Sequence, residues 1–424
     1  MSRELVDSAV EWIGKMPANW KLRRVGNLFE QRSEKVSDIE YEPLSVTKNG
    51  IVKQLETAAK SNDHTNRKKV CVNDFVINSR SDRKMSSGVS PLYGSVSLIN
   101  IVLHSRNMDP SFVNYLLKNY GFAEEFYRWG TGIVEDLWST NYSRMKKILI
   151  PTPGLEEQKK IANLLDDKVS KINNITDKLK RSIEELKKYK QSLITEAVTK
   201  GLYPDIEMKE SGINWVGSIP KHWGLSYFKY EIYIRARLGW KGLKAHEYVD
   251  KGIAFLSTPN IKGESIDFNH VNYITRKRYD ESPEIKLSKD DVLLTKDGST
   301  LGTVNVVRSL FEDATVNSSI AVLTPSVSLN AVYLYYLIKS DYIQNEIRLK
   351  KDGMGVPHLF QKDIRQFRLI LPPLDEQIQI STYLDGKIQS INLIINNKDK
   401  LIFELEDYKK SLIYEYVTGK KEVM

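Results

Sequence analysis

The sequence predicts an α+β chain: two α/β modules in tandem pseudo-repeat, separated by two long antiparallel coiled-coil helices. Three observations carry this reading. Trp12-Ile13-Gly14-Lys15-Met16-Pro17-Ala18-Asn19-Trp20 returns as Trp215-Val216-Gly217-Ser218-Ile219-Pro220-Lys221-His222-Trp223, each a W-x-G-x-x-P-x-x-W segment. Pro153-Gly154-Leu155-Glu156-Glu157-Gln158 returns as Pro372-Pro373-Leu374-Asp375-Glu376-Gln377, and the register then holds without a gap, at an offset of 219, to Val198-Thr199 and Val417-Thr418. About 20 of some 45 residues aligned in this way are identical, which marks an internal duplication. Finally, both repeated tracts carry Leu or Ile every seven residues.

Taken in order, residues 1–20 form a junction whose tryptophans are expected to pack between module and helix. Residues 21–152 form the first module. Its strand is signalled by Asp74-Phe75-Val76-Ile77, its helix by Phe112-Val113-Asn114-Tyr115-Leu116-Leu117, and its close by Gly130-Thr131-Gly132-Ile133. Residues 153–202 hold the first long helix, with Leu165, Ile172, Leu179, Leu186 and Leu193 in one core row. The second core row is read as Ile161, Lys168, Ile175, Ser182, Tyr189 and Glu196. No Pro or Gly interrupts this tract before Gly201, and Glu156 and Glu157 suit the positive end of the helix dipole.

Residues 203–223 repeat the junction. Residues 224–371 form the second module, with Asp291-Val292-Leu293-Leu294, Tyr333-Leu334-Tyr335-Tyr336-Leu337-Ile338 and Gly353-Met354-Gly355-Val356 as its matching signals. Residues 372–424 hold the second helix, with Leu384, Ile391, Leu405 and Leu412 in the core row and Lys398 interrupting it. Its other row is read as Ile380, Lys387, Ile394, Leu401, Tyr408 and Glu415. Because the segment that opens the chain also follows the first helix, the chain reads as a circle cut before Met1. Antiparallel helices satisfy that closure, and they bring Lys168 near Glu415 and Lys387 near Glu196. A helix of about 38 residues spans roughly 57 Å, equal to about 17 base pairs of duplex, which makes it a candidate ruler.

Composition narrows the function. The 424 residues carry 63 Lys+Arg against 54 Asp+Glu, a formal charge of +9, and are 41% hydrophobic, so the chain can bury a core. A single cysteine, Cys71, excludes a disulfide scaffold or a multi-cysteine zinc site. The opening residues lack the apolar core of a signal peptide and no apolar run approaches a bilayer span, so a soluble, cytoplasmic chain with no membrane partner is expected. No G-x-x-x-x-G-K-[ST] phosphate loop occurs, the G-x-G segments lack a dinucleotide-binding context, and the six His show no metal-ligand spacing. Neither catalysis nor a metal is expected in this chain.

The excess positive charge lies mainly on the modules: 20 basic against 14 acidic residues in 21–150 and 21 against 17 in 224–370. The helical tracts carry 10 against 8 (155–199) and 5 against 8 (374–418). A polyanion is therefore expected to meet the modules, with Lys/Arg neutralising phosphates and Arg, Lys, Asn, Ser or Thr reaching base edges. Polar turns after the apolar strands supply the candidates. In the first module these are Thr47, Lys48 and Asn49, then Arg80, Arg83 and Lys84, then Arg128 and Thr131. In the second they are Thr258, Asn260 and Lys262, then Lys296, then Arg348, Lys350 and Lys351, with His358 beyond them.

Two variable modules, each preceded by W-x-G-x-x-P-x-x-W and followed by P-x-L-[ED]-E-Q and a heptad helix, resemble the specificity subunit of type I restriction–modification systems. The resemblance spans nearly the whole chain, with Gly154 standing where the second copy has Pro373. It implies that each module is a target recognition domain reading one half of a bipartite sequence in double-stranded DNA. It also implies that the helices set the gap between the halves and hold two methyltransferase subunits, with two restriction subunits completing the nuclease. S-adenosylmethionine, ATP and Mg2+ are then expected in those partners, and no cofactor here. Two other readings stay open at this stage: a self-sufficient nucleic-acid-modifying enzyme, and a structural coiled-coil adaptor.

Overall fold

The computed structural model describes residues 3–56, 64–132, 138–236, 243, 247–350 and 357–423. They divide into two units, and the second half of one long helix returns to the first unit. Unit one comprises Met1–Lys180 with Asp399–Met424, and unit two comprises Arg181–Lys398. The first W-x-G-x-x-P-x-x-W segment meets the end of the second long helix within unit one, where Tyr414 Oη donates to the carbonyls of Trp12 (3.0 Å) and Ile13 (3.1 Å). The Lys420 ammonium also donates to the Ile13 carbonyl.

Each unit is built from the same parts. In unit one the central sheet runs Ser87–Val89, Phe75–Asn78, Asn100–Ser105, Phe29–Gln31, all antiparallel. In unit two the equivalent order is Val304–Val306, Val292–Thr295, Ile320–Pro325, Ile232–Arg235. Helix Pro110–Lys118 covers the first sheet and begins at Asp109, whose carboxylate accepts from the Phe112 amide (2.9 Å). Helix Ala331–Lys339 does the same in unit two, with Asn330 capping Val332 and Tyr333 (3.0 Å each). Such caps satisfy amides that the first helical turn leaves without partners.

An arginine–aspartate pair anchors the central strand of each sheet. The fully buried Asp74 takes a bidentate fork from Arg32 (2.7 and 3.2 Å) and also accepts from the Cys71 amide (2.8 Å). That hydrogen bond to Asp74 raises the Arg32 pKa against the opposing effect of burial. In unit two Asp291 accepts from Arg235 (2.8 Å), Thr324 (2.5 Å) and the Ser288 amide (2.7 Å). A carboxylate this deeply buried is tolerable only with its lone pairs filled.

The repeated motifs turn out to be anchors between module and helix. Glu157 accepts from Trp20 Nε1 (3.0 Å) and pairs with Arg3 (2.7 Å). Glu376 accepts from Trp223 Nε1 (2.9 Å) and pairs with His222 (2.6 Å). Gln158 accepts from the Asp109 amide (3.0 Å) and donates to the Pro153 carbonyl (3.0 Å). Gln377 repeats this with the Asn330 amide (2.8 Å) and the Pro372 carbonyl (2.9 Å). Tyr115 donates to Asp166 (2.7 Å) and Tyr336 to Asp385 (2.6 Å), and burial ahead of the carboxylate raises both phenol pKa values.

The long helices are Leu155–Lys200 (46 residues) and Leu374–Val417 (44 residues). Inside each unit their segments run antiparallel. In unit one Lys409 donates to Asn173 (3.0 Å), and in unit two Lys190 donates to Asn392 (2.9 Å), the same pair related by the repeat. The row Leu165, Ile172, Leu179, Leu186, Leu193 and its counterpart Leu384, Ile391, Leu405, Leu412 is buried or half-buried, as expected.

The second row needs correction: it lies one residue later. Ala162, Val169, Thr176, Ile183, Lys190 and Ala197 face the seam from the first helix, with Ser381, Ile388, Ile395, Ile402, Lys409 and Tyr416 from the second. The row read from sequence is buried at Ile161 and Ile380, where the modules cover it, and then emerges into solvent. Ile175 is 47% and Ile394 45% exposed, while Tyr189 and Tyr408 are 55% and 52% exposed. Accordingly the expected charge pairs do not form: Glu415 binds Lys421 (2.6 Å), and Lys387 lies over Tyr383 (5.7 Å).

Adjacent isoleucines test the corrected row. Ile395→Ala is expected to lower stability by about 2–4 kcal/mol through a cavity in the seam. Ile394→Ala should stay within about 0.5 kcal/mol. Denaturant unfolding of the two variants distinguishes them.

Candidate nucleic-acid interface

The turn that follows the anchored strand has the same order of elements in both modules, built from unrelated residues. In module one the chain leaves Phe75–Asn78, makes the 3-10 turn Ser81–Arg83 and returns as Ser87–Val89. In module two it leaves Val292–Thr295, turns through Gly298–Thr300 and returns as Val304–Val306. The left-handed residue closing the turn is Met85 (φ 68°) in one and Gly302 (φ 85°) in the other.

A distant segment then zips onto the turn in the same register. The Ser81 amide donates to the Trp138 carbonyl (2.8 Å) and the Thr140 amide to the Ser79 carbonyl (2.9 Å). Their counterparts are Gly298 to Pro357 (3.0 Å) and Leu359 to Lys296 (2.8 Å). Arg80 is thereby bridged to Ser139, and Asp297 to His358. Across Ser79–Lys84 and Lys296–Leu301, and across Trp138–Asn141 and Pro357–Phe360, no aligned pair of residues is identical. One backbone frame carries two different sets of side chains.

Most of the first-module candidates meet on this frame. Arg80, Arg83 and Lys84 are exposed on the turn. Asp82 sits between the two arginines, 3.3 Å from Arg80 and 3.6 Å from Arg83. Lys84 pairs with Glu124 (3.2 Å). Arg128, at the end of helix Tyr120–Arg128, pairs with Glu11 (2.7 Å), whose hydrogen bond and charge raise its pKa. Thr131 is exposed and its backbone bridges Ser139 on the other side from Arg80. A cleft of about 480 Å³ opens here, lined by Asp82, Lys84, Glu124, Tyr127, Arg128 and Trp138 among others.

The Thr47–Gly50 turn leans on the returning strand. A Cβ at Gly88 would lie 3.1 Å from the Gly50 Cα, so a larger residue there would push the turn back by a few tenths of an ångström. Thr47 is spent on the turn itself, its Oγ1 donating to the Gly50 carbonyl (2.9 Å) and accepting from the Asn49 amide (3.1 Å). Lys48 and Asn49 are exposed at the tip.

In module two the position equivalent to Gly88 is Asn305, which donates to the carbonyls of Ile261 (3.2 Å) and Gly263 (3.1 Å) and so holds the Thr258–Ile261 turn. Asn260 is not available to a ligand. It is buried, its Oδ1 accepts from the Ser257 amide and hydroxyl (2.8 Å each), and its amide donates to His270 (2.8 Å) and Asp267 (3.3 Å) carbonyls. Thr258 is half-buried and Lys262 exposed. Lys296 is half-buried against Asp297 (3.0 Å), and Asp297 also pairs closely with His358. Arg348 and Lys350 are exposed at the end of helix Asp341–Leu349. Lys351 and the segment Gly353-Met354-Gly355-Val356 lie outside the described residues.

Sequence reasoning missed Asp82, Trp138 and Asp297. The signal for Asp297 was present: aligned on the anchor aspartates Asp74 and Asp291, it is the counterpart of Arg80.

The family described as "Type I restriction modification DNA specificity domain" matches residues 243–403. From Methanocaldococcus jannaschii, the specificity subunit of type I restriction enzyme MjaVIII is 25% identical over 336 residues, covering 78% of this chain and 74% of the relative. The putative MjaX specificity subunit of the same organism is 22% identical over 434 residues, covering 97% and 96%. The Escherichia coli EcoBI specificity subunit is 25% identical over 243 residues, covering 56% and 50%. Among solved structures, a chain from work on complex assembly and conformational transition of the type I R-M system superposes with a TM-score of 0.74 at 15% identity, over 96% of this chain and 99% of that one. The HsdS subunit of Thermoanaerobacter tengcongensis gives 0.54 at 16% identity, over 96% and 98%.

The structural role of Asn260 predicts that Asn260→Ala destabilises module two by about 1–3 kcal/mol, since buried partners lose their hydrogen bonds. Lys262→Ala, two residues away and exposed, should change stability by less than about 0.5 kcal/mol. Thermal unfolding of both variants provides the measurement.

Proposed function

We propose that this chain, which belongs to the family of type I restriction–modification specificity subunits, reads a bipartite DNA sequence with one half assigned to each module. The DNA sequence-specificity role follows from the family. The observation that carries the two-half reading is the shared turn-and-zip frame with no side chain in common. A frame that shares its zip hydrogen bonds supplies a similar approach to a duplex, and different side chains on it supply different base preferences. Exposed cations beside the frame, Arg83, Lys84 and Arg128 in module one and Arg348 and Lys350 in module two, suit phosphate contacts that fix orientation. The long helices set the gap between the halves.

The partners follow from the outward row of the helices. Beyond the buried pair Ile161/Ile380, four of its five remaining positions are identical between the two copies: Lys168/Lys387, Ile175/Ile394, Tyr189/Tyr408 and Glu196/Glu415. The inward row that includes Ile183 and Ile395 keeps only two of six. A row that is solvent-facing in its central stretch and yet stays the same in both copies fits two copies of one partner. We assign that partner as the methyltransferase subunit, with two restriction subunits joining the assembly. Methylation and cleavage then take place in those subunits, which bring S-adenosylmethionine, ATP and Mg2+, and this chain contributes recognition without catalysis. The cell's cytoplasm is the compartment where such a complex meets DNA.

Exchanging residues 21–150 for the corresponding module of a relative is expected to change one half of the methylated sequence and leave the other half and the gap unaltered. Mapping methylated bases in DNA from cells carrying each version reads this directly, and a change in both halves contradicts independent modules. The docking assignment predicts that Ile175→Asp together with Ile394→Asp abolishes co-purification of the methyltransferase subunits while leaving the unfolding temperature within a few degrees.

A further inference from the structure

The equivalent residues Arg80 and Asp297 carry opposite charges on one backbone frame, and this opposition limits what the frame can face. Each is bridged to the zipped segment, at Ser139 and His358 respectively. Arg80 is exposed, with Asp82 3.3 Å from its guanidinium and positioned to orient it. Asp297 has Lys296 on Oδ2 (3.0 Å) and His358 Nδ1 on Oδ1, and the imidazole rests edge-on against Phe360 (4.3 Å between centroids). Among the described residues each oxygen has one side-chain partner, and a carboxylate oxygen can accept a second hydrogen bond.

A carboxylate at this point cannot serve a phosphate, because like charges repel. Against a duplex it can accept only from donors, and in the major groove those are the exocyclic amino groups of cytosine and adenine. The same frame in module one then aims Arg80 at base edges too, where its fork matches the O6 and N7 acceptors of guanine.

We propose that residues 80 and 297 are the base-specifying positions of their modules, Arg80 reading a guanine and the Asp297–His358 pair reading an amino group of cytosine or adenine. This inference rests on the reading of the chain as a DNA-specificity subunit. The frame makes the two positions equivalent, and the charge reversal makes their preferences different.

The test uses the full chain in complex with its methyltransferase subunits and a library of randomised duplexes, scoring methylated sites and measuring affinity at two salt concentrations. The unaltered complex should require a G·C pair in the half-site that changes when module one is exchanged. Arg80→Gln should cut discrimination at that one pair by about tenfold to a hundredfold, leaving the other half-site intact. Asp297→Asn should relax a single position in the other half-site, and which base replaces the preferred one tells a cytosine amino group from an adenine one. Uniform loss of affinity with an unchanged sequence preference, an unchanged variant, or a module-one half-site of A·T pairs alone overturns the proposal. Should the unaltered complex show no sequence preference, it is the underlying functional reading that fails instead. Matching unfolding curves for both variants exclude a folding defect.

Discussion

The seam between the two long helices, with one lysine–asparagine bond in each unit, is the frame to which both modules are anchored. Lys409 and Lys190 occupy inward positions of a row that is otherwise apolar or small, and each donates to an asparagine one position beyond the leucine/isoleucine row of the facing helix. The same two ammoniums also pair with carboxylates, Lys409 with Glu406 (2.6 Å) and Lys190 with Glu264 (3.2 Å), so the asparagine bonds add a register preference to the apolar packing rather than imposing it alone. Slipping the helices by one turn leaves both lysines without that acceptor. The leucine and isoleucine contacts alone are less selective, since similar side chains recur every seven residues.

From this register the modules are placed by three anchors per unit: indole to glutamate, helix cap to glutamine, and phenol to aspartate. All three helix-side residues are the same in both copies, because each must meet a partner within the chain that is also unchanged. Beyond the anchors the constraint ends. The sheets keep their order and the turn keeps its hydrogen bonds, while the side chains on the turn have no residue in common. At these anchors sequence identity follows contact with partners that recur in both copies, whereas the inward seam row and the turn tolerate divergence.

Much of this was legible. The duplication, the two modules, the helices, the anchor tryptophans and the leucine/isoleucine row were all readable from motif and period. In module one the cationic turn, Arg80 to Lys84, is exposed. Asn260 was misread because an asparagine in a polar turn has the same sequence signature whether it caps the turn or faces solvent. Asp297 is not legible in the pattern of cationic turns because a carboxylate does not carry that signature. The second seam row was misplaced because Ile161, Ile175 and Tyr189 have a stronger hydrophobic pattern than Ala162, Thr176 and Lys190, although the weaker set is the one that faces the partner helix.

The sequence alone determined the class of fold, the pairing of like with like, and the presence of a neutral helical spacer between basic modules. These properties reside in local patterning and in repetition, which need no coordinates. Only the tertiary structure decided which face of each helix is seam and which is free, because two neighbouring rows share the same seven-residue period and only the position of the partner chooses between them. It alone also joined Arg80 to Ser139 and Asp297 to His358, about 60 residues apart in each module. Long-range backbone pairing of this kind depends on how the intervening sheet and helices pack, and no residue within either short segment encodes it.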